Sequence, residues 1–363
     1  MKKLSIILLS FLTFASVNIA QEKPSQEKPS QEKPSQEKPL DLQPKITGDA
    51  RTWLDMDLTK NQGNFMVRNA RIMASGNVSE FVSYRFLFDL ASLTKTSTKT
   101  DTLNGRKFLT DASTDLGILN DAFISVKPVS KLSLTLGQFK VPFSTENLIS
   151  TNSLPFSNRP LLSARISPDI YDIGFMASYS LPTPVPVDID AAAFNGTGQN
   201  KAENDRTDNY AFRAVIKPVP EVNFSANYAG GILQGNKVKI FDLGAGFKSG
   251  NLTLAGEYAK RSTTISAKDV SLDSYFAYAV YDLPLNTDFI KFISPACRYE
   301  YFEPNSNVSN DQVKKFTAGL TFSFAKLTFA HFRLNYEKFL YKDEYKGTDK
   351  SSDRLITEFQ IRF

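Results

Sequence analysis

Residues 354–363 read Arg354-Leu355-Ile356-Thr357-Glu358-Phe359-Gln360-Ile361-Arg362-Phe363. Side chains of a strand alternate between its two faces. Leu355, Thr357, Phe359, Ile361 and Phe363 therefore share one face, and Arg354, Glu358, Gln360 and Arg362 share the other. Such a ribbon suits lipid on one side and water on the other. A strand of this kind closing on an aromatic residue is also the signal read by the machinery that inserts barrels into bacterial outer membranes, with Phe359, Ile361 and Phe363 as its candidate carriers.

The same alternation recurs toward the N-terminus. Ile46, Gly48, Ala50, Thr52, Leu54, Met56 and Leu58 oppose Lys45, Thr47, Asp49, Arg51, Trp53, Asp55 and Asp57. It returns at Val82, Tyr84, Phe86, Phe88 and Leu90 against Ser83, Arg85 and Asp89, at Tyr210, Phe212, Ala214 and Ile216 against Arg213, and at Phe332, Leu334 and Tyr336 against Arg333, Asn335 and Glu337. Between Phe65 and Ala74 the pattern fails: Arg68 and Arg71 fall on opposite faces, which puts one of them near a rim or marks a slip of register. Short turns such as Lys127–Lys131, Pro182–Pro186, Lys217–Pro220 and Ser249-Gly250 alternate with longer polar stretches at Ser92–Ser113, Val141–Ile170, Thr197–Asn209, Ser262–Ser271, Glu303–Lys315 and Tyr341–Ser352. A chain with a short-turn end and a long-loop end fits periplasmic turns and extracellular loops. The reading is all-β: a transmembrane antiparallel β-barrel of about sixteen strands over residues 45–363, or fourteen or eighteen if one hairpin is merged or split. An even count puts both barrel ends on the periplasmic side.

Composition agrees. The chain holds 29 Phe and 14 Tyr with a slightly negative mean hydropathy, and no apolar run after Leu40 approaches the ~20 residues a spanning helix needs. A barrel dilutes its apolar residues with lumenal ones at every second position and carries aromatic girdles at its rims. Met1-Lys2-Lys3, an apolar run from Leu4 to Ala15 and small residues ending at Ala20 form a secretory signal over residues 1–20, with an uncleaved anchor as the alternative. Residues 21–44 then repeat Gln-Glu-Lys-Pro-Ser three times to Ser35 and begin a fourth at Gln36. Proline every fifth residue and no apolar side chains make this an extended periplasmic linker, either passive or in contact with the cell wall or a partner. Of the +5 formal charge, Lys2 and Lys3 leave with the signal and the repeat is balanced, leaving +3 for the rest, too little to suggest nucleic acid.

Val141–Ile170 lacks strand alternation and is too long for an idle connection. Its apolar residues, among them Phe143, Leu154, Phe156, Leu162 and Ile166, can pack against an inner wall and leave Lys140, Arg159 and Arg165 to line a constriction; Glu146 is the one carboxylate between Lys140 and Ile166. An anion that loses water in a narrow pore needs such donors, and arginine offers a planar fork to two phosphate oxygens. The other reading is that these cations pin the loop. Arg51, Arg85, Arg213, Arg298 and Arg333 add candidate anion contacts on the lumenal face, joined in parity by Arg354 and Arg362. Asp49, Asp55, Asp89, Asp121, Glu257, Glu300, Glu337 and Glu358 share that parity, so pairing across the lumen is expected and strong phosphate selectivity is not.

Leu136-Gly137-Gln138-Phe139-Lys140-Val141-Pro142-Phe143-Ser144 resembles a motif of the phosphate-selective porin O and P family. Phe194-Asn195-Gly196-Thr197-Gly198, Gly256-Glu257-Tyr258, Arg298-Tyr299-Glu300 and Phe359–Phe363 resemble further segments of that family. The resemblance implies a sixteen-stranded outer-membrane porin, trimeric, whose third extracellular loop folds into the barrel. Family members pass anions, some preferring phosphate or polyphosphate, through lumenal arginines and a lysine cluster.

Cys297 and His331 are the single cysteine and histidine. They leave no disulfide, little zinc or triad chemistry and no recognisable cofactor site. An enzyme is therefore not expected. Cys297 reads as an outer-face filler, His331 as a structural residue near a rim, Trp53 as a rim or lumen aromatic, and Asn200–Asn209 lacks the spacing of a calcium loop. The expected function is a water-filled outer-membrane channel for passive diffusion of small anions, phosphate or polyphosphate among them. The alternative is a barrel whose long loops bind an extracellular partner with little conductance. Expected partners are outer-membrane lipid, small anions and two further copies of the chain.

Overall fold

Alternation of this kind leaves every second side chain apolar, and strands that close on themselves leave no unpaired backbone edge toward lipid. The computed structural model describes residues 42–94, 96–103, 106–114, 117–168, 170–202, 209–233, 236–265, 268–325, 329–345, 350 and 353–363; the signal and repeat expected in residues 1–41, and most of the stretch weighed as a calcium loop, lie outside them. Sixteen strands form one sheet: β1 Lys45–Asp57, β2 Gln62–Asn77, β3 Val82–Asp89, β4 Leu119–Val129, β5 Leu132–Lys140, β6 Tyr171–Leu181, β7 Val187–Phe194, β8 Asn209–Val219, β9 Val222–Leu233, β10 Asn236–Ser249, β11 Leu252–Ile265, β12 Lys268–Tyr281, β13 Phe292–Glu303, β14 Val313–Ser323, β15 Ala330–Tyr341 and β16 Arg354–Arg362. Leu283–Pro284 continues the β12 edge against β13. Each strand pairs antiparallel with its neighbours in sequence, and β1 pairs with β16 from Asp49↔Arg362 to Asp57↔Arg354, closing the barrel. Among the described residues no helix is long and apolar enough to cross a membrane, which says nothing of crossing by strands.

The two faces separate by chemistry. Phe65, Leu136 and Phe363 are 82%, 66% and 71% exposed on one face, while Arg51, Arg298 and Glu358 on the other are 1%, 1% and 0% exposed. The sequence count and the strand starts at Lys45 and Arg354 agree with this barrel. Three details differ. β1 and β2 slip register between Arg51↔Asn69 and Thr52↔Val67, so Arg68 is an extra, bulged residue. A bulge puts two residues opposite one, which is why Arg68 and Arg71 break the alternation. Thr96–Leu103 and Arg106–Thr114 pair as a separate two-stranded sheet inside the stretch expected as the Ser92–Ser113 loop. Finally, β11 and β12 remain paired out to Ile265↔Lys268, consuming most of the loop expected at Ser262–Ser271.

The connection from β5 to β6, residues 141–170, holds two short helices, α1 Thr145–Leu148 and α2 Leu161–Arg165. Its Phe143, Phe156, Leu162 and Ile166 belong to one buried apolar cluster with Phe194, Ala211, Ala229, Ile240, Ala259, Phe276 and Tyr278 of β7–β12. Gly137 sets its start: φ is +127°, and a Cβ there would lie 2.2 Å from the Ala122 carbonyl. Only glycine fits such an approach without strain. Beyond it Gln138 and Phe139, neighbours in sequence, are both buried.

Candidate functional site

The buried face gathers charge around Glu358. The closing register sets Trp53 opposite Glu358 and Arg51 one step on. Glu358 Oε2 accepts from Arg51 Nε at 3.2 Å, from Arg51 Nη2 and from Trp53 Nε1 at 2.7 Å. Its Oε1 accepts from Arg333 Nη1 at 2.8 Å and lies 3.3 Å from His331 Nε2. Neighbouring pairs are Arg71–Asp49 at 2.6 Å, Arg298–Glu300 at 2.7 Å, Lys315–Glu337 at 2.9 Å and Arg85–Asp121 at 2.8 Å. Burying a charge without a partner is expensive, so each lumenal carboxylate of this group has a cation.

The arginines have a second task, because their remaining donors reach the backbone of the 141–170 connection. Arg51 Nη2 donates to the Ser157 carbonyl at 2.9 Å, Arg298 Nη1 to Asn158 at 2.9 Å and Arg333 Nη2 to Leu154 at 3.0 Å. Gln360 donates to the Asn152 carbonyl at 2.8 Å, and Asn335 Oδ1 accepts from Ser157 N at 2.7 Å. Farther along, Glu300 Oε2 accepts from Leu161 N at 2.6 Å. At the other end of the segment, Glu257 takes Ser144 Oγ at 2.6 Å and Glu146 N at 2.8 Å. Buried backbone polar groups need hydrogen-bond partners, and these wall side chains supply them.

Within the segment, Lys140 Nζ donates to the carbonyls of Asn147, Leu148 and Ile149 at 3.1, 3.1 and 2.9 Å, closing the C-terminal turn of α1. Arg159 donates to the Glu146 carbonyl and, at 2.7 Å, to that of Ile149. Glu146 is buried with Oε1 unpartnered among the described residues. Burial holds its carboxyl above the usual carboxylate range, with Arg298 and Arg159 pulling it back. Burial likewise lowers the Arg159 guanidinium.

Two cavities flank this segment. One of about 1190 Å³ is lined by Arg68, Asp89, Arg165, Lys201, Arg261 and Asp311 among others; one of about 160 Å³ lies beside Asp49, Arg71, Arg85, Asn152 and Arg362.

A family model of phosphate-selective porin O and P matches residues 45–243. The chain belongs to the phosphate-selective porin O and P family. It is therefore an outer-membrane channel, and its family and fold point away from an enzyme. Solved porins share the fold. A Salmonella typhi OmpF complex with daunomycin is 14% identical at a TM-score of 0.61, covering 88% of this chain and 97% of that one. An anion-selective porin from Comamonas acidovorans is 12% identical at 0.59, covering 88% and 98%. The trimer form of OmpT from Vibrio cholerae is 9% identical at 0.57, covering 88% and 99%. A comparison with curated proteins gives no match.

In this porin O and P chain the candidate residues fall into separate groups. Arg51, Arg298 and Arg333 are buried and saturate carboxylates and loop carbonyls. Lys140 and Arg159 hold the segment to itself. Arg165 ends α2 on the larger cavity. Arg85 pairs with Asp121, and Arg213 stands 3.5 Å from Asp190, each bound to a neighbouring strand rather than to the Glu358 cluster. His331, the second residue of β15 and opposite Gln360, is 2% exposed and stands 3.3 Å from Glu358. Trp53 is lumenal, 4% exposed. Cys297 is exposed on the outer face. The residue that parity alone passes over is Arg68, and its broken alternation with Arg71 is the signal that marks it.

Proposed function

We propose that the protein passes small anions, phosphate among them, by passive diffusion through a lumen narrowed by the 141–170 segment acting as an inward-folded third extracellular loop. The observation that carries this is the lining of the larger cavity, where Arg68, Arg165, Lys201 and Arg261 outnumber Asp89, Asp311 and Glu344. That leaves a positive surplus in a polar constriction, and fixed cations in such a place replace the hydration of an anion. The family description and the anion selectivity named for the Comamonas acidovorans porin point the same way, and the trimer form of OmpT supports a homotrimer. Residues 1–20 would direct export, and residues 21–44 would extend from the barrel into the periplasm.

Reversal potentials of the purified full chain in planar bilayers under a potassium chloride gradient test this. The expected sign is that of chloride permeating faster than potassium, with millimolar phosphate reducing the chloride current. A cation-selective sign overturns the anion reading, and an absence of conductance overturns the channel in favour of a barrel whose loops bind a partner.

A further inference from the structure

Charge is not confined to the lumenal face. Lys237 and Lys239 of β10, Lys260 of β11, Lys314 of β14 and Lys338 of β15 share the outward parity of their strands, and each lies within six residues of the long-loop end. The acids of that face, Asp269, Asp273 and Glu303, belong to the same arc of wall. Along β1–β9 and β16 the outward positions are uncharged, with two exceptions that turn inward: Arg68 at the bulge, 5.2 Å from the lumenal Trp53 ring, and Lys140, which bonds the 141–170 segment. Within the arc, β10 and β11 pair with Lys239 opposite Ser262 and Phe241 opposite Lys260. Lys239 and Lys260 are therefore diagonal neighbours, about 7–8 Å apart at the backbone, and Lys237 follows Lys239 on the same face after another ~7 Å. All three are exposed, and among the described residues none makes an ion pair or a side-chain hydrogen bond. Asp273 stands opposite Lys260, but its Oδ1 accepts from the Tyr258 hydroxyl at 2.6 Å. Glu303 Oε2 accepts from the Tyr301 hydroxyl at 2.9 Å, and Lys338 is paired with Asp353. Next to the lysines runs a belt of outward tyrosines, with Tyr210 and Tyr228 6.1 Å apart and Tyr275 stacked on Tyr301 at 5.0 Å. Such a girdle marks the membrane–water interface, so the lysines stand at the depth of the lipid head groups.

We propose that Lys237, Lys239 and Lys260 form a docking site on the outer wall for the phosphorylated head group of an outer-leaflet glycolipid; of the reading above it takes only that the long loops face outward. Like charges on neighbouring strands repel, and a cation on the lipid face is tolerated only near the interface. An anionic head group at that depth removes the first cost and accounts for the second. Clustered lysines beside a membrane recognise lipid phosphates in this way, and an ammonium is a compact charge with rotatable donors, so it meets phosphate oxygens without a fixed orientation. A further copy of the chain is the poorer occupant. It would desolvate three lysines without supplying a carboxylate, at high cost, whereas the uncharged outer wall of β1–β9 can be covered without that penalty.

The test is native mass spectrometry of the full chain in detergent, titrated with bisphosphorylated lipid A or with phosphatidylglycerol, each variant first shown to be folded by retarded migration before heating. The parent is expected to retain lipid A in preference to phosphatidylglycerol. Lys239→Gln should weaken that retention roughly fivefold, and the triple change Lys237→Gln, Lys239→Gln, Lys260→Gln roughly a hundredfold, the scale for one and three lysines beside an anionic head group. Lys248→Gln, at the exposed short-turn end of β10, should leave it unchanged. A folded triple variant that binds lipid A like the parent overturns the site, and so does an equal loss in Lys248→Gln, which would show diffuse charge attraction. Should the triple variant fail to fold, Lys239→Gln decides: unchanged retention overturns the site. A preference for phosphatidylglycerol overturns the glycolipid, and a variant that falls apart into single chains with lipid A retention intact overturns the lipid in favour of a second copy. Conductance separates this site from the channel reading: a conducting parent that does not bind lipid A loses only the site, and a parent that binds lipid A without conducting loses only the channel.

Discussion

Glu358 is the residue on which the inner wall turns. It accepts from Arg51, Trp53 and Arg333 and stands beside His331, so its removal leaves two buried guanidinium groups without their carboxylate. Breaking a buried ion pair from one side costs about 3–5 kcal/mol. Glu358→Gln is expected to destabilise the barrel by that order in urea unfolding followed by tryptophan fluorescence, whereas Trp53→Phe, which removes one hydrogen bond, should cost about 1 kcal/mol by loss of the folded band on unheated gels. Equal costs would show that the indole, not the carboxylate, organises the cluster. Parity along the chain is enough to place Arg51 and Trp53 on one face of their strand, and Glu358 on the polar face of its own. It does not show that they meet, because Arg51 and Glu358 come together only when β1 pairs with β16. Arg68 is illegible for a different reason: a bulge is one residue long, and alternation reads it as an error.

At the scale of elements, the 141–170 segment is held by its backbone, and the one acid inside it gives that hold a pH dependence. Glu146 faces Glu257 of β11 and the charges of Arg298, Glu300, Arg159 and Lys140. Its carboxyl is raised by burial, so the docked segment favours the protonated form. The contribution is complete below the ordinary carboxyl range and declines as pH rises through the raised value. Trypsin cleavage at Arg165 should therefore accelerate from acid toward neutral pH in the parent and stay flatter in Glu146→Gln; the same pH slope in both would assign the effect to Glu257 instead. The apolar content of this segment is plain in the sequence, and so is its failure to alternate. The paired strands Thr96–Leu103 and Arg106–Thr114 and the outer ends of β11 and β12 are not. Thr96-Ser97-Thr98-Lys99-Thr100-Asp101 does not alternate polar with apolar residues, so a period-two reading takes it for a loop.

For the whole molecule, the decisive event is closure between strands from opposite ends of the chain. Gly48 and Phe363 exchange two backbone hydrogen bonds, each 2.9 Å, at the short-turn end of that seam. The Phe363 ring lies over Gly48 on the outer face: a Cβ at position 48 would come within 2.4 Å of its Cζ and 3.1 Å of the Arg71 carbonyl. The ring can swing away, the carbonyl cannot. Gly48→Val is therefore expected to lower stability by about 1–3 kcal/mol, the usual cost of overpacking. Phe363→Ala keeps both backbone hydrogen bonds and gives up only an exposed ring. Because the two positions touch, their effects should couple rather than add. Combining Phe363→Ala with Gly48→Val should recover much of the loss, read as the urea midpoint of the folded barrel in lipid vesicles. If the double variant is as unstable as the sum of the singles, the ring is not the obstacle, and the Arg71 carbonyl sets the need for glycine where the barrel closes.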